Sequence, residues 1–351
     1  MFSIEEFGLD YYIPVSCQEE YKKITNGTLP LEDKIVQLLT LNPGFMVKSP
    51  TINDEENFKK LKYESSVKLI KEKISQQKKL EFFSLSLNVK PHMKDITNGL
   101  IFPDVADFLT LLHLNMVFSY INKLYSPGAV LRIGSQYNYF RKFSRISQET
   151  AIEMHKISLK FNTAAERLLG TKNLIEIYDV YEAVEPVKKE FYLKVEGAKF
   201  DFLNDDNNMS EIRRGAEYYM NFVVDPDYFP NKEAAWNFCM YHALDSAAYK
   251  TAVLSMFNTP SGLFERYNEL IQVETRFQSG SNLKEHINSI YIAFLPGAST
   301  FSFNRLTMRK QCGLWELTTY KKIIQTKAKE VFIKQLSHPF FFEETSNGQG
   351  L

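Results

Sequence analysis

The chain has 351 residues, enough for one large domain or two modest ones. Lysine plus arginine equals aspartate plus glutamate at 42 each, so there is no bulk attraction to nucleic acid or to an anionic membrane surface. The three cysteines, Cys17, Cys239 and Cys312, are odd in number and far apart, which argues against a disulfide framework or a structural zinc site and fits free thiols in a reducing compartment.

Residues Met1 to Asp10 mix acidic and apolar side chains without a basic start and apolar run, so they do not read as a secretory signal. No uncharged apolar stretch approaches the ~20 residues needed to cross a bilayer. The expectation is a soluble, cytoplasmic protein with no membrane partner. Residues 31–41 read as a short amphipathic helix, stopped by Asn42-Pro43-Gly44. From Asp54 to Lys79, Lys and Glu alternate with apolar residues at helical spacing, giving one or two exposed helices. These helices before residue 80 are the first place to expect a protein partner.

Leu80 to Val89 reads as a strand, and the polar run Lys90 to Gly99 as a loop. Asp104 is placed to cap a helix running to Tyr125, with Asp107 in its first turn. Apolar residues cover most sides of that helix, so it should be buried broadly. Ser126-Pro127-Gly128 ends it, and Ala129 to Ile133 reads as an interior strand. Strand, loop, helix, tight turn and strand make a βαβ unit with parallel strands. The loop from Gly134 to Tyr137 then lies at the carboxyl end of a strand, the edge where open α/β sheets bind ligands.

Residues 147–184, 211–224 and 232–257 read as helices, and 270–277, 290–295 and 313–317 as strands. The expected class is α/β, a Rossmann-like mixed or parallel sheet with helices on both faces plus helical additions. The expected division is a mostly helical segment over 1–79, an α/β domain over 80–340 and a disordered tail over 341–351.

Phe102-Pro103-Asp104-Val105-Ala106-Asp107, the buried helix, Tyr125-Ser126-Pro127-Gly128-Ala129 and the strand to Ser135 together resemble the isonitrile (isocyanide) synthases of pyoverdine and paerucumarin gene clusters and the related dityrosine enzymes. That family opens with Leu-Pro-Asp-x-(Ala/Gly)-Glu, turns with Tyr-x-Pro-Gly-Ala and ends a strand in Ser-Asp-Gly. The resemblance spans roughly residues 80 to 320, with Lys90 at an upstream lysine motif and Arg214-Gly215 at a downstream Arg-Gly. It implies that the amino nitrogen of Tyr or Trp is joined to a carbon from ribulose 5-phosphate, with no metal or organic cofactor.

Such chemistry must hold a phosphate, grip a carboxylate and move several protons. Lys90, Lys94, Arg132, Arg276 and Arg305 are the cations in plausible places, and Arg suits both anions because its fork binds two oxygens. His92 is the histidine nearest a family motif and reads either as an acid–base group or as a solvated loop residue. Ser135 and Tyr137 occupy the strand-end loop; Tyr137 reads either as a donor to a substrate oxygen or as an aromatic plug. A pocket lined by Ser135, Tyr137, Lys90 and Arg276 is expected there. His113, on the buried helix, reads as a satisfied core residue.

The family's two motif histidines have no counterpart. Arg276 stands at one, and Phe303, Asn304 or Arg305 near the other; Gln136 and Tyr137 replace the Asp and Gly of Ser-Asp-Gly. Three readings stay open: an active synthase, a non-catalytic binding or regulatory protein on the same scaffold, and an enzyme for a different amine or sugar phosphate. No nucleotide-loop, nucleophile-elbow or zinc-helix motif occurs.

Overall fold

The computed structural model describes residues 2–3, 12–13, 17–41, 63–87, 103–135, 137, 147–179, 187–218, 220, 229–255, 270–274, 289–291, 306–318, 323, 325–334, 336 and 339–345. Its helices are α1 (Cys17–Asn26), α2 (Leu31–Thr40), α3 (Tyr63–Ser75), α4 (Val105–Leu124), α5 (Gln148–Leu169), α6 (Lys188–Leu203), α7 (Asp206–Tyr218) and α8 (Lys232–Ser255). Its strands are β1 (Phe2–Ser3), β2 (Tyr12–Ile13), β3 (Leu80–Leu87), β4 (Ala129–Ser135), β5 (Ile175–Asp179), β6 (Ile271–Glu274), β7 (Ser289–Tyr291), β8 (Leu306–Arg309), β9 (Trp315–Thr318), β10 (Lys329–Val331) and β11 (Phe341–Glu343).

The βαβ unit is present as read. Asp104 accepts from the Ala106 amide at 2.8 Å, and its own amide donates to Asp107 at 2.9 Å, a reciprocal cap that starts α4. At the far end Gly128 adopts φ +81, and Asn122 bridges the turn to Ala129 through both its amide atoms. The chain then enters β4, which pairs parallel with β3 from Leu80↔Ala129 onward.

A five-stranded sheet in the order β5-β4-β3-β6-β7 results, parallel at every pairing. Side chains alternate across it. Phe82, Leu131, Ile133, Ile175, Ile271 and Val273 enter the main core on one face, where Phe82 meets Phe118 of α4 edge-on at 5.3 Å. Phe83 lies on the other face, stacked on Tyr178 at 6.1 Å, and Tyr178 packs against the core shared by α6 and α8. Helices therefore cover both faces, and the α/β class holds.

A second, mixed sheet, β10-β11-β8-β9, packs against α4 and α5 through Phe340, which contacts both Phe108 and Phe161. On the opposite flank α1 and α2 join the same core: Tyr21 stacks on Tyr120 at 5.0 Å, and Ile35, Val36, Leu38 and Leu39 are buried. The segment before residue 80 thus shares its apolar face with the α/β unit.

Several expectations change. The helical reading of 147–184 misses β5, whose five residues run parallel to β4 from Leu131↔Ile175 to Ser135↔Asp179. The left-handed Gly170 ends α5 just before it. Helix α6 was not foreseen, since it is apolar on two sides. The expected helix over 211–224 begins earlier, at Asp206, and its described part ends at Tyr218. The tail boundary at 341 is wrong: Phe341 and Phe342 are buried and β11 pairs with both β8 and β10. Burying two phenylalanines outweighs the polarity of the residues after them. Residues 346–351 lie outside the described residues.

Candidate active site at the carboxyl edge of the parallel sheet

Ser135 is the last residue of β4 and fully buried. Its Oγ lies 2.7 Å from Nδ1 of His155, which comes from the second turn of α5. Helix α5 runs back along the sheet after β4, so its amino-terminal half lies over the carboxyl edge. With a neutral imidazole whose Nδ1 is bare, the serine hydroxyl donates; with Nδ1 protonated, the ring donates and the serine accepts.

Asp179, the last residue of β5, is the register partner of Ser135 and is also buried. Paired residues of parallel neighbours point to one face at a strand spacing of about 4.8 Å, which sets a carboxylate beside the serine. Ser135 thus has a histidine from α5 bonded to it and an aspartate from β5 as its register partner.

Tyr137 follows two residues later. Its hydroxyl hydrogen-bonds Ser158 at 2.9 Å, and Ser158 in turn donates to the Met154 carbonyl at 3.2 Å. Burial, with the negative charges of Asp107 and then Asp104 adding to it, pushes this phenol well above its ordinary value, while the Ser158 bond works the other way. Tyr137 is a buried phenol held against α5 by Ser158. Asp104 also accepts from Thr307 at 3.3 Å, which ties the mixed sheet to the start of α4.

His155, Ser158 and Asn162 form a polar stripe on an otherwise apolar face of α5. Each meets a different part of the scaffold: Ser135, Tyr137, and Asn115 at 2.8 Å with the Ile175 carbonyl at 3.2 Å. The sequence reading missed His155. Its signal was the three-then-four spacing of polar side chains among Met154, Ile157 and Phe161, a helical stripe aimed at the core.

Arg132 was expected to bind substrate. Its guanidinium instead bridges Glu81 at 2.9 Å and Glu176 at 2.8 Å, one carboxylate from each neighbouring strand. Burial alone would lower its value, but the two carboxylates outweigh that and hold it above the ordinary range. The position also decides: Arg132 is three residues before Ser135, so alternation puts the two on opposite faces. Lys90, His92, Lys94, Arg276 and Arg305 lie outside the described residues. His113 is a core residue as read, its Nδ1 2.9 Å from the Tyr21 hydroxyl. Arg214 is exposed beside Glu211 at 3.1 Å.

Among the described residues, no group of three His, Cys, Asp or Glu side chains is arranged to hold a metal ion. No described helix is long and apolar enough to cross a membrane.

The architecture defines a class, an α/β protein with a polar cluster at the carboxyl ends of β4 and β5. Among solved structures, it is similar to the PvcA protein from Pseudomonas aeruginosa, with a TM-score of 0.61 at 15% identity, over 90% of this chain and 100% of that one. At this identity the likeness shows the fold. No protein-family model matches the chain, and no curated protein matches its sequence.

Proposed function

We propose that this chain is an isonitrile-synthase-like enzyme, joining the amino group of an aromatic amino acid, Tyr or Trp, to a carbon of ribulose 5-phosphate. The observation that carries the reading is the Ser135–His155 hydrogen bond at the carboxyl edge of the parallel sheet. The segment from Phe102 to Ser135 resembles the isonitrile synthases, and the fold likeness to PvcA covers 90% of this chain and 100% of that one. The resemblance lacks both motif histidines. His155, from α5, is a histidine at the strand edge outside those motifs, and its bond to Ser135 supports the reading.

The geometry supports a proton-transfer role at this edge. Addition of the amine to the ketone moves a proton from nitrogen to the carbonyl oxygen. Histidine ionises nearest neutrality of all side chains, so it can serve at both ends of such a transfer. Ser135 extends its reach by one hydrogen bond, and Asp179 sits beside that serine on the neighbouring strand.

The replacement of Ser-Asp-Gly by Ser135-Gln136-Tyr137 favours a second reading, an enzyme for a different amine or sugar phosphate. Tyr137 fills space at the strand end that a glycine would leave open.

The test is to incubate the protein with ribulose 5-phosphate and Tyr or Trp, then look for the isonitrile by mass and by its infrared stretch. Product is expected, with His155→Gln lowering the rate by about 10²–10⁴-fold, the range for a lost acid–base group. No product, with saturable thermal stabilisation by the sugar phosphate, selects the second reading. Neither product nor stabilisation leaves a binding or regulatory protein on this scaffold.

A further inference from the structure

Ser135 and Tyr137 leave the same strand end two residues apart, and both reach α5. Ser135 holds the ring of His155, its Oγ 2.7 Å from Nδ1. Tyr137 meets Ser158, three positions further along α5 and so on the same side of the helix as His155.

The direction of this second contact follows from counting protons. A serine hydroxyl has one. Ser158 gives it to the Met154 carbonyl at 3.2 Å, the backward bond to the fourth preceding residue that helical serines make. Tyr137 is therefore the donor and Ser158 the acceptor across 2.9 Å. The phenol keeps the proton it donates, since burial and then the charges of Asp107 and Asp104 oppose its ionisation. Tyr137, Ser158 and Met154 are all buried, so bulk water does not compete for these links.

The Met154 carbonyl belongs to the peptide bond that leads into His155. The hydrogen bonds that start at Tyr137 thus end on the backbone of the same histidine whose ring Ser135 holds. One strand end grips His155 at two points, ring and backbone. Tyr137 stands where the Ser-Asp-Gly motif has glycine, which has no side chain to make the second grip.

We propose that Tyr137 is a positioning residue for His155: through Ser158 it fixes the turn of α5 that sets the imidazole on Ser135. Its consequence for rate rests on the reading of His155 as the acid–base group.

NMR of the imidazole nitrogens and Cε1–H of the full chain at neutral pH tests this without turnover, with His155→Gln assigning the signals. Ser135→Ala marks where they go when the ring is released. Tyr137→Phe keeps the buried ring and removes only the donor, and should move the His155 signals part of the way in that direction while core His113 stays in place. Ser158→Ala cuts the same chain at its next link and should reproduce the shift. Tyr137→Phe added to Ser135→Ala should move the signals by less than the two single shifts combined. Far-UV circular dichroism and melting check that each variant folds. In the synthase assay Tyr137→Phe should lower kcat by up to about 10²-fold, the cost of a displaced reacting group, with KM little changed. His155 signals unmoved in both Tyr137→Phe and Ser158→Ala would overturn the proposal, and so would a fall in kcat without a shift. A wild-type chain that makes no isonitrile counts against the reaction, and the NMR shifts then still decide the positioning.

Discussion

The two faces of β4 differ in kind. On one, Leu131, Ile133 and Ser135 run from the apolar core under α4 and α5 to a polar edge where Ser135 bonds His155 and pairs in register with Asp179. On the other, Arg132 joins Glu81 and Glu176 across three strands. One face builds a site at its end, and the other builds a cross-link in its middle. Two polar residues three positions apart on a strand cannot serve one site, however well their chemistry matches.

The largest effect is expected on the core face. Phe82→Ala removes a fully buried ring that meets Phe118 edge-on and should cost about 3–5 kcal/mol in urea or thermal unfolding. A loss below about 1 kcal/mol would mean that α4 does not pack on β3 as described. Next comes the anchor of the polar stripe. Asn162→Leu leaves Asn115 and the Ile175 carbonyl short of buried partners and should cost about 2–3 kcal/mol. Asn115→Leu added to it should recover part of that loss, a coupling that a double-mutant cycle measures.

Arg132 gives a smaller effect. Its side chain is only partly buried, so Arg132→Ala should cost about 1–2 kcal/mol, between the values for exposed and buried pairs. It should leave binding of the sugar phosphate unchanged, whereas a substrate-binding Arg132 would lose affinity for the sugar phosphate on truncation.

The smallest effect concerns the N-terminal helices. Burial, then a hydrogen bond to Asp33 at 2.7 Å, push the Tyr63 phenol up to about 12. The unfolded phenol ionises near pH 10, so the folded state is the one that keeps the proton above that pH. This contribution is full below pH 10 and is lost as the pH rises towards about 12. Tyr63→Phe should flatten the stability profile in that window and lower the plateau below pH 10, by about 0.5–1.5 kcal/mol for the lost hydrogen bond to Asp33.

What the sequence disclosed was local or periodic. The Asp104 cap, the Gly128 turn and the broad burial of α4 rest on residues a few positions apart, and all three are present. Strand β5 alternates Ile-Glu-Ile-Tyr-Asp, but it is short and follows a 22-residue helix so closely that a helical reading absorbs it. Helix α6 escaped because two apolar sides leave no single stripe to see. Half of the candidate site was legible: Ser135 came from its place at a strand end. His155 came from nowhere in the motif, because its meeting with Ser135 spans two elements and depends on how α5 lies across the sheet.

The proposed reaction requires the Ser135–His155 edge to receive the phosphorylated sugar. Proton NMR of the imidazole Cε1–H signals tests it, with His155→Gln assigning one of the six histidines. Titration with ribulose 5-phosphate should move the His155 signal saturably while the signal of core His113 stays in place. A His155 signal that stays fixed at a ligand concentration that stabilises the protein against heat would contradict the account.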